Sequence, residues 1–151
     1  MDKNYFFYKS HCELGITSQE VDPKTITRLL DIEPFSAYSK GEIFSSKPTG
    51  FVAKRFQNLW AMKSETIISE KEDLTPHILH FKSILCNKLD LLHKFKNDPR
   101  YDISFWIWVE TDNAGIGIDL TCDELAFINS IANRVHFSII TNQDNTNIPL
   151  I

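Results

Sequence analysis

A chain of 151 residues, 42% of them hydrophobic, is long enough to close one core without a staple, and a domain of this size buries roughly two-thirds of the surface its unfolded chain exposes. A formal charge of −4 works against a general nucleic-acid binder, which needs a basic surface to neutralise phosphates. The three cysteines, Cys12, Cys86 and Cys122, are odd in number, widely spaced and without a Cys-x-x-Cys pair, so neither a disulfide framework nor a thiolate zinc site is indicated and a reducing cytoplasm fits.

The apolar run Tyr5-Phe6-Phe7-Tyr8 is cut by Lys9 and Ser10. It is too short for a signal-peptide core and far short of the ~20 residues of a membrane helix, so the mature chain is expected to begin near Met1, with no membrane partner. Asn4 to Ser10 alternates bulky residues on both faces and reads as a buried strand. A helix follows: Asp22 caps, Pro23 takes the first position, where a missing N–H costs nothing, and Pro34 ends the run, with Ile26, Leu29 and Leu30 as its inward stripe. Ser36 to Asn58 shows no sustained period and reads as a long loop with short strand pieces. Asn58 to Ser64 is the next strand, followed by an acidic connector at Glu70, Glu72 and Asp73. Thr75-Pro76 repeats the cap-then-proline signal, and Ile78, Phe81, Leu85, Leu89 and Leu92 fall on one side of a single helix of about six turns.

The last third alternates clearly. Ile103, Phe105, Ile107 and Val109 oppose Ser104, Trp106, Trp108 and Glu110; after a turn at 112–115, Ile116, Ile118 and Leu120 alternate again, which predicts a hairpin. Thr121 with Glu124 forms a capping box before Leu125, Ile128 and Ile131, and Val135, Phe137 and Ile139 mark a final strand. The tail 141–151 is polar up to Asn147 and reads as loose. The capped-helix phrase therefore occurs twice, which suggests two related halves around one core. Residues 1–151 are predicted to form a single α+β domain: an antiparallel or mixed sheet with helices mainly on one face, loosely ferredoxin-like.

Constellations that carry chemistry are sparse. His77 and His80 are three apart on a helix, but no acidic or cysteine partner lies one turn on, so ordinary surface histidines are expected and no metal. His11-Cys12-Glu13 is a dense trio whose neighbours in an extended strand point to opposite sides, with no orienting third group for a Cys–His nucleophile. Gly115-Ile116-Gly117 lacks the third glycine and the strand-to-helix context of a dinucleotide fingerprint. No other common catalytic or cofactor motif occurs, so no catalytic residue and no cofactor is assigned.

Two charge patterns and one aromatic pair remain. Glu110, Asp112, Asp119, Asp123 and Glu124 lie in a stretch without lysine or arginine; this is either a solvated turn with helix-end acids or a docking surface for a cationic partner. Lys40, Lys47, Lys54 and Arg55 alternate with Tyr38, Phe44, Phe51 and Phe56, the composition of a nucleic-acid-contacting loop. Trp106 and Trp108 fall on the sheet face opposite the helices, where they either mark a binding surface or are covered by the 36–58 loop.

These residues assembled, the chain resembles the bacterial domain of unknown function forty-two seventy-nine. The resemblance is carried by Asp22-Pro23-x-x-Ile26-x-x-Leu29-Leu30-x-Ile32-Glu33-Pro34, by Lys40-Gly41-Glu42, by the strand around Trp60, by the long helix and by the closing hairpin-helix-strand. It implies no activity. Small acidic bacterial proteins of this kind resemble immunity proteins, so the expected function is a non-catalytic module that neutralises a cationic toxin domain through Glu110, Asp112, Asp119, Asp123, Trp106 and Trp108. The competing expectations are a small-ligand or enzymatic site near Lys40-Gly41-Glu42 and a nucleic-acid-associated domain using the basic 40–55 loop.

Overall fold

The computed structural model describes residues 8–69 and 73–141. The elements in chain order are β1 (Tyr8–Ser18), α1 (Pro23–Leu30), β2 (Ser36–Tyr38), β3 (Ile43–Ser45), β4 (Val52–Lys54), β5 (Asn58–Lys63), β6 (Ile67–Ser69), α2 (Thr75–Leu85), α3 (Leu89–Asn97), β7 (Asp102–Thr111), α4 (Cys122–Ile131) and β8 (Arg134–Thr141). The protein is α+β. Its main sheet runs β2-β5-β1-β7-β8, with β6 continuing beside β1 on the β5 edge; all pairings are antiparallel except β7 with β8, so the sheet is mixed. β3 and β4 form a separate two-stranded flap inside the 36–58 segment, which carries the short strand pieces its sequence suggests.

Alternation places one face of the sheet in the core. Tyr8, Cys12, Leu14 and Ile16 of β1, Trp60 and Met62 of β5, and Ile103, Phe105, Ile107 and Val109 of β7 join Ile26, Leu30, Ile78, Phe81, Leu85, Leu92, Phe95, Ile128 and Ile131 from all four helices in one cluster. Two of the three expected caps form: the Asp22 carboxylate accepts from Lys24 N–H at 2.7 Å, and Thr121 and Glu124 exchange hydrogen bonds at 3.1 and 2.8 Å, whereas Thr75 is the first residue of α2 and does not cap it. The halves share a strand–helix–parallel-strand plan. In the second, β8 lies directly beside β7; in the first, β2 is parallel to β1 through two antiparallel steps, with β5 inserted between them.

Five expectations need correction. Among the described residues β1 runs from Tyr8 to Ser18, well past the predicted end at Ser10; the part of that prediction at residues 4–7, the connector at Glu70 and Glu72, and the tail beyond Thr141 lie outside the described residues. The long helix is two helices, because Lys88 leaves helical geometry (φ −119°, ψ 1°) and its N–H closes a tight turn on the Leu85 carbonyl at 2.8 Å. An apolar stripe reads the same whether the axis continues or bends. No strand forms at Ile116, Ile118 and Leu120; both edges of β7 are already paired, with β1 and β8, and these residues pack partly buried against the core without joining the sheet. Leu29 (43% exposed) and Leu125 (47%) face outward, so each inward stripe is narrower than its sequence pattern. His77, expected at the surface, is buried.

Candidate functional site

The face of the sheet away from the helices carries the odd positions of β1 and the even positions of β7 and β8. Register sets His11 beside Trp108, Glu13 beside Trp106, and Trp106 beside His136. The four rings form a line of near-parallel stacks across three strands. His136 to Trp106 is 4.2 Å between centroids at 14°, Trp106 to Trp108 is 5.3 Å at 17°, and Trp108 to His11 is 5.8 Å at 13°. Pairs of this kind contribute about 0.5–1.5 kcal/mol each beyond the area they bury. The stacking partners of the tryptophans come from β1 and β8 and not from the 36–58 segment, and both indoles are half-buried. The buried Nε1 of Trp108 has no hydrogen-bond partner among the described residues.

Beyond Trp108 lies a cavity of about 200 Å³ lined by Lys9, His11, Lys63, Thr66, Trp108, Val109, Glu110 and Ile140. Lys9 Nζ is 3.3 Å from Glu110, and His11 Nε2 is 3.2 Å from Glu13. The proton affinity of His11 is lowered, first by burial and then by the charge of Lys63, against the opposing pull of Glu13.

The acidic stretch does not act as one unit. Glu110 meets Lys9 on the ladder face. Glu124 is buried in the α4 cap and accepts from the Thr75 hydroxyl at 2.7 Å. Burial opposes its ionisation, but the hydrogen bonds from Thr121 and Thr75 together outweigh it and hold the carboxyl below its ordinary range. Asp112 is half-buried just past the end of β7, while Asp119 and Asp123 are exposed. The structure thus brings Trp106, Trp108 and Glu110 together on one face, with Asp112 next along the chain, and gives Glu124 a structural task.

Two other constellations have clear roles. His77 lies between two serines, with Nε2 2.9 Å from Ser10 Oγ and Nδ1 2.8 Å from Ser64 Oγ, and Ser64 Oγ accepts from Cys12 N–H at 2.9 Å. All three side chains are buried. Burial, aided by His11 and His80 and opposed by Asp73, lowers the His77 pKa to about 4. This neutral imidazole ties α2 to β1 and to the end of β5. Cys12 is pushed up to about 12 by burial and then by Glu13, which removes the thiolate that a Cys–His nucleophile needs. Among the described residues no group of three or more metal-binding side chains occurs.

In the 36–58 segment, the Arg55 guanidinium stacks over Tyr38 at 4.0 Å and Phe44 at 3.9 Å. Its cation is engaged between β2 and the flap, while Lys40, Lys47 and Lys54 are exposed. A separate groove of about 370 Å³ runs between α1 and β2, lined by Pro23, Thr27, Glu33, Pro34, Tyr38 and Glu42 among others.

The model of a family described as Domain of unknown function (DUF4279) matches residues 8–142. The chain belongs to this family. Its description carries no activity, and no curated protein and no solved structure matches the chain. Asp22-Pro23 begin α1, which ends at Leu30 because Asp31 turns left-handed (φ 54°) before Pro34 is reached, Gly41 supplies the positive φ (87°) of the turn into the flap, and Trp60 anchors β5 by donating from Nε1 to Thr27 Oγ1 at 3.1 Å. The features of the ladder face that sequence reasoning missed are Lys9, Lys63, His11 as a stacking partner and His136. His136 could have been read from its alternation with Val135 and Phe137; the Lys63 position depends on strand order, which no local pattern carries.

Among the described residues no helix is long and apolar enough to cross a membrane.

Proposed function

We propose that the protein is a non-catalytic protein-binding module of the reducing cytoplasm that docks a partner on the helix-free sheet face, in its most specific form as an immunity-like protein that neutralises a cationic toxin domain. The observation that supports this reading is the ring ladder from His11 to His136. Aromatic side chains held rigid by stacking lose little entropy on association, and tryptophans dominate binding energy where they occur in interfaces. Asp112 past the end of β7 and Asp119 in the segment that follows would supply the charge that speeds encounter with a cationic domain, Glu110 being already paired with Lys9.

The test is to co-express the protein with the product of the neighbouring gene and measure association by stopped flow. Trp106→Ala with Trp108→Ala is expected to raise the dissociation rate at least tenfold. Asp112→Lys with Asp119→Lys is expected to slow association several-fold at low salt, an effect that fades as the Debye length shrinks to about 8 Å at physiological ionic strength. Unchanged rates in both variants would remove this face from the interface. A second reading, a small-ligand or enzymatic site near Lys40-Gly41-Glu42, is favoured by the groove between α1 and β2, where Glu33 and Glu42 accompany an apolar lining. The nucleic-acid reading is weakened by the engagement of Arg55 with Tyr38 and Phe44.

A further inference from the structure

We infer that the cavity beside Trp108 is a binding site for a small aromatic carboxylate, a single planar ring carrying one negative charge. The inference stands apart from partner docking, because it rests on the cavity and its charges alone. Size sets the first limit. At about 200 Å³ the space falls below the roughly 300–1,000 Å³ of pockets that take drug-sized ligands, so nucleotides are excluded and a single substituted ring fits.

The walls set the second limit. Trp108 and His11, already stacked on each other, line the space together with Ile140 and Thr66, which makes its wall part aromatic and part aliphatic. A planar ring is the shape that such walls pack best, since offset stacking adds to area burial.

Charge sets the third. Three charged side chains line the cavity: Lys9, Lys63 and Glu110. Glu110 offsets Lys9 at 3.3 Å. Glu13 stands opposite Lys63 in the strand register but is hydrogen-bonded to His11, and among the described residues no carboxylate pairs with Lys63. The Lys63 ammonium instead lies 5.0 Å over the ring of Phe35. The charged side chains that line the space therefore carry a net positive charge, while the Glu13 carboxylate stands outside the lining beside His11, whose proton affinity is lowered first by burial and then by Lys63. A neutral ring would gain nothing from the lysines, a cationic ring would be repelled, and a ringless anion would leave the walls empty.

The test is a fluorescence titration of the full chain at neutral pH, reading Trp106 and Trp108 over the constant signal of buried Trp60. Benzoate, benzyl alcohol, benzamidinium and inorganic phosphate are the probes. Benzoate is expected to saturate in the low millimolar range, and the other three to bind at least about tenfold more weakly, the least that one charge-assisted hydrogen bond provides. Lys63→Met, which keeps the apolar stem, should weaken benzoate about tenfold. Glu110→Gln should strengthen it several-fold by releasing Lys9. Circular dichroism of both variants checks that they are folded, which is expected because Lys63 and Glu110 are part-exposed. Failure of benzoate to saturate, equal binding of any other probe, or unchanged affinity in folded Lys63→Met would overturn the assignment.

Discussion

His77 shows how one side chain can set the acid limit of a protein. Its imidazole titrates near 6.5 in the unfolded chain and near 4 when folded. Between those values only the unfolded chain takes up the proton, so the stability present above pH 6.5 is lost progressively as the pH falls toward 4. The full loss is about 3 kcal/mol, at about 1.4 kcal/mol per pH unit within the window. Urea denaturation at a series of pH values measures it. His77→Gln, which retains two hydrogen-bonding ends without titrating in this range, should flatten that slope; a slope as steep as the parent's would place its source elsewhere. The sequence spacing of His77 and His80 was legible, but the burial of His77 was not. It depends on Ser10 and Ser64, which lie 67 and 13 residues away in the chain.

At the scale of elements, local signals were reliable where the responsible atoms are neighbours in sequence. The capping box at Thr121 and Glu124 and the Asp22 cap both form as read. Thr121→Ala should cost about 1 kcal/mol by freeing the Glu124 N–H, lowering the melting temperature by about 2–4 °C for a chain of this size. Thr121→Ser should be nearly neutral, and scanning calorimetry separates the two. Alternation was less reliable. It marked β7 correctly because Ile103, Phe105, Ile107 and Val109 face the core, yet it marked Ile116 to Leu120 as the hairpin partner of β7 when both edges of β7 are taken by β1 and β8. The break between α2 and α3 escaped for a related reason, since Phe81, Leu85, Leu92 and Phe95 all reach one core although Lys88 redirects the axis.

For the whole molecule, a single core makes α1 and α4 answer to the same packing. Leu30 and Ile131 are fully buried there, whereas Leu29 and Leu125 are exposed. Leu30→Ala and Ile131→Ala should each cost about 2–5 kcal/mol, through lost transfer energy and the cavity left behind. Leu29→Ala and Leu125→Ala should stay within about 0.5 kcal/mol of the parent. Denaturant midpoints of the four variants decide whether the two helices share one core as described; large losses at Leu29 or Leu125 would require a different orientation of that helix.

From the sequence by itself came the α+β class, the capped starts of α1 and α4, the face of β7 that carries the tryptophans, and the family resemblance that the match over residues 8–142 bears out. Each of these depends on residues a few positions apart, whose geometry the backbone enforces wherever the chain is placed. Only the tertiary structure decided that His11, Trp108, Trp106 and His136 stack in one line, that Lys63 stands beside the cavity without a carboxylate, and that His77 is buried. Those outcomes rest on strand order and register. Both are set by long-range pairing of β5, β1, β7 and β8, a sum of many weak contacts that no short window of sequence contains.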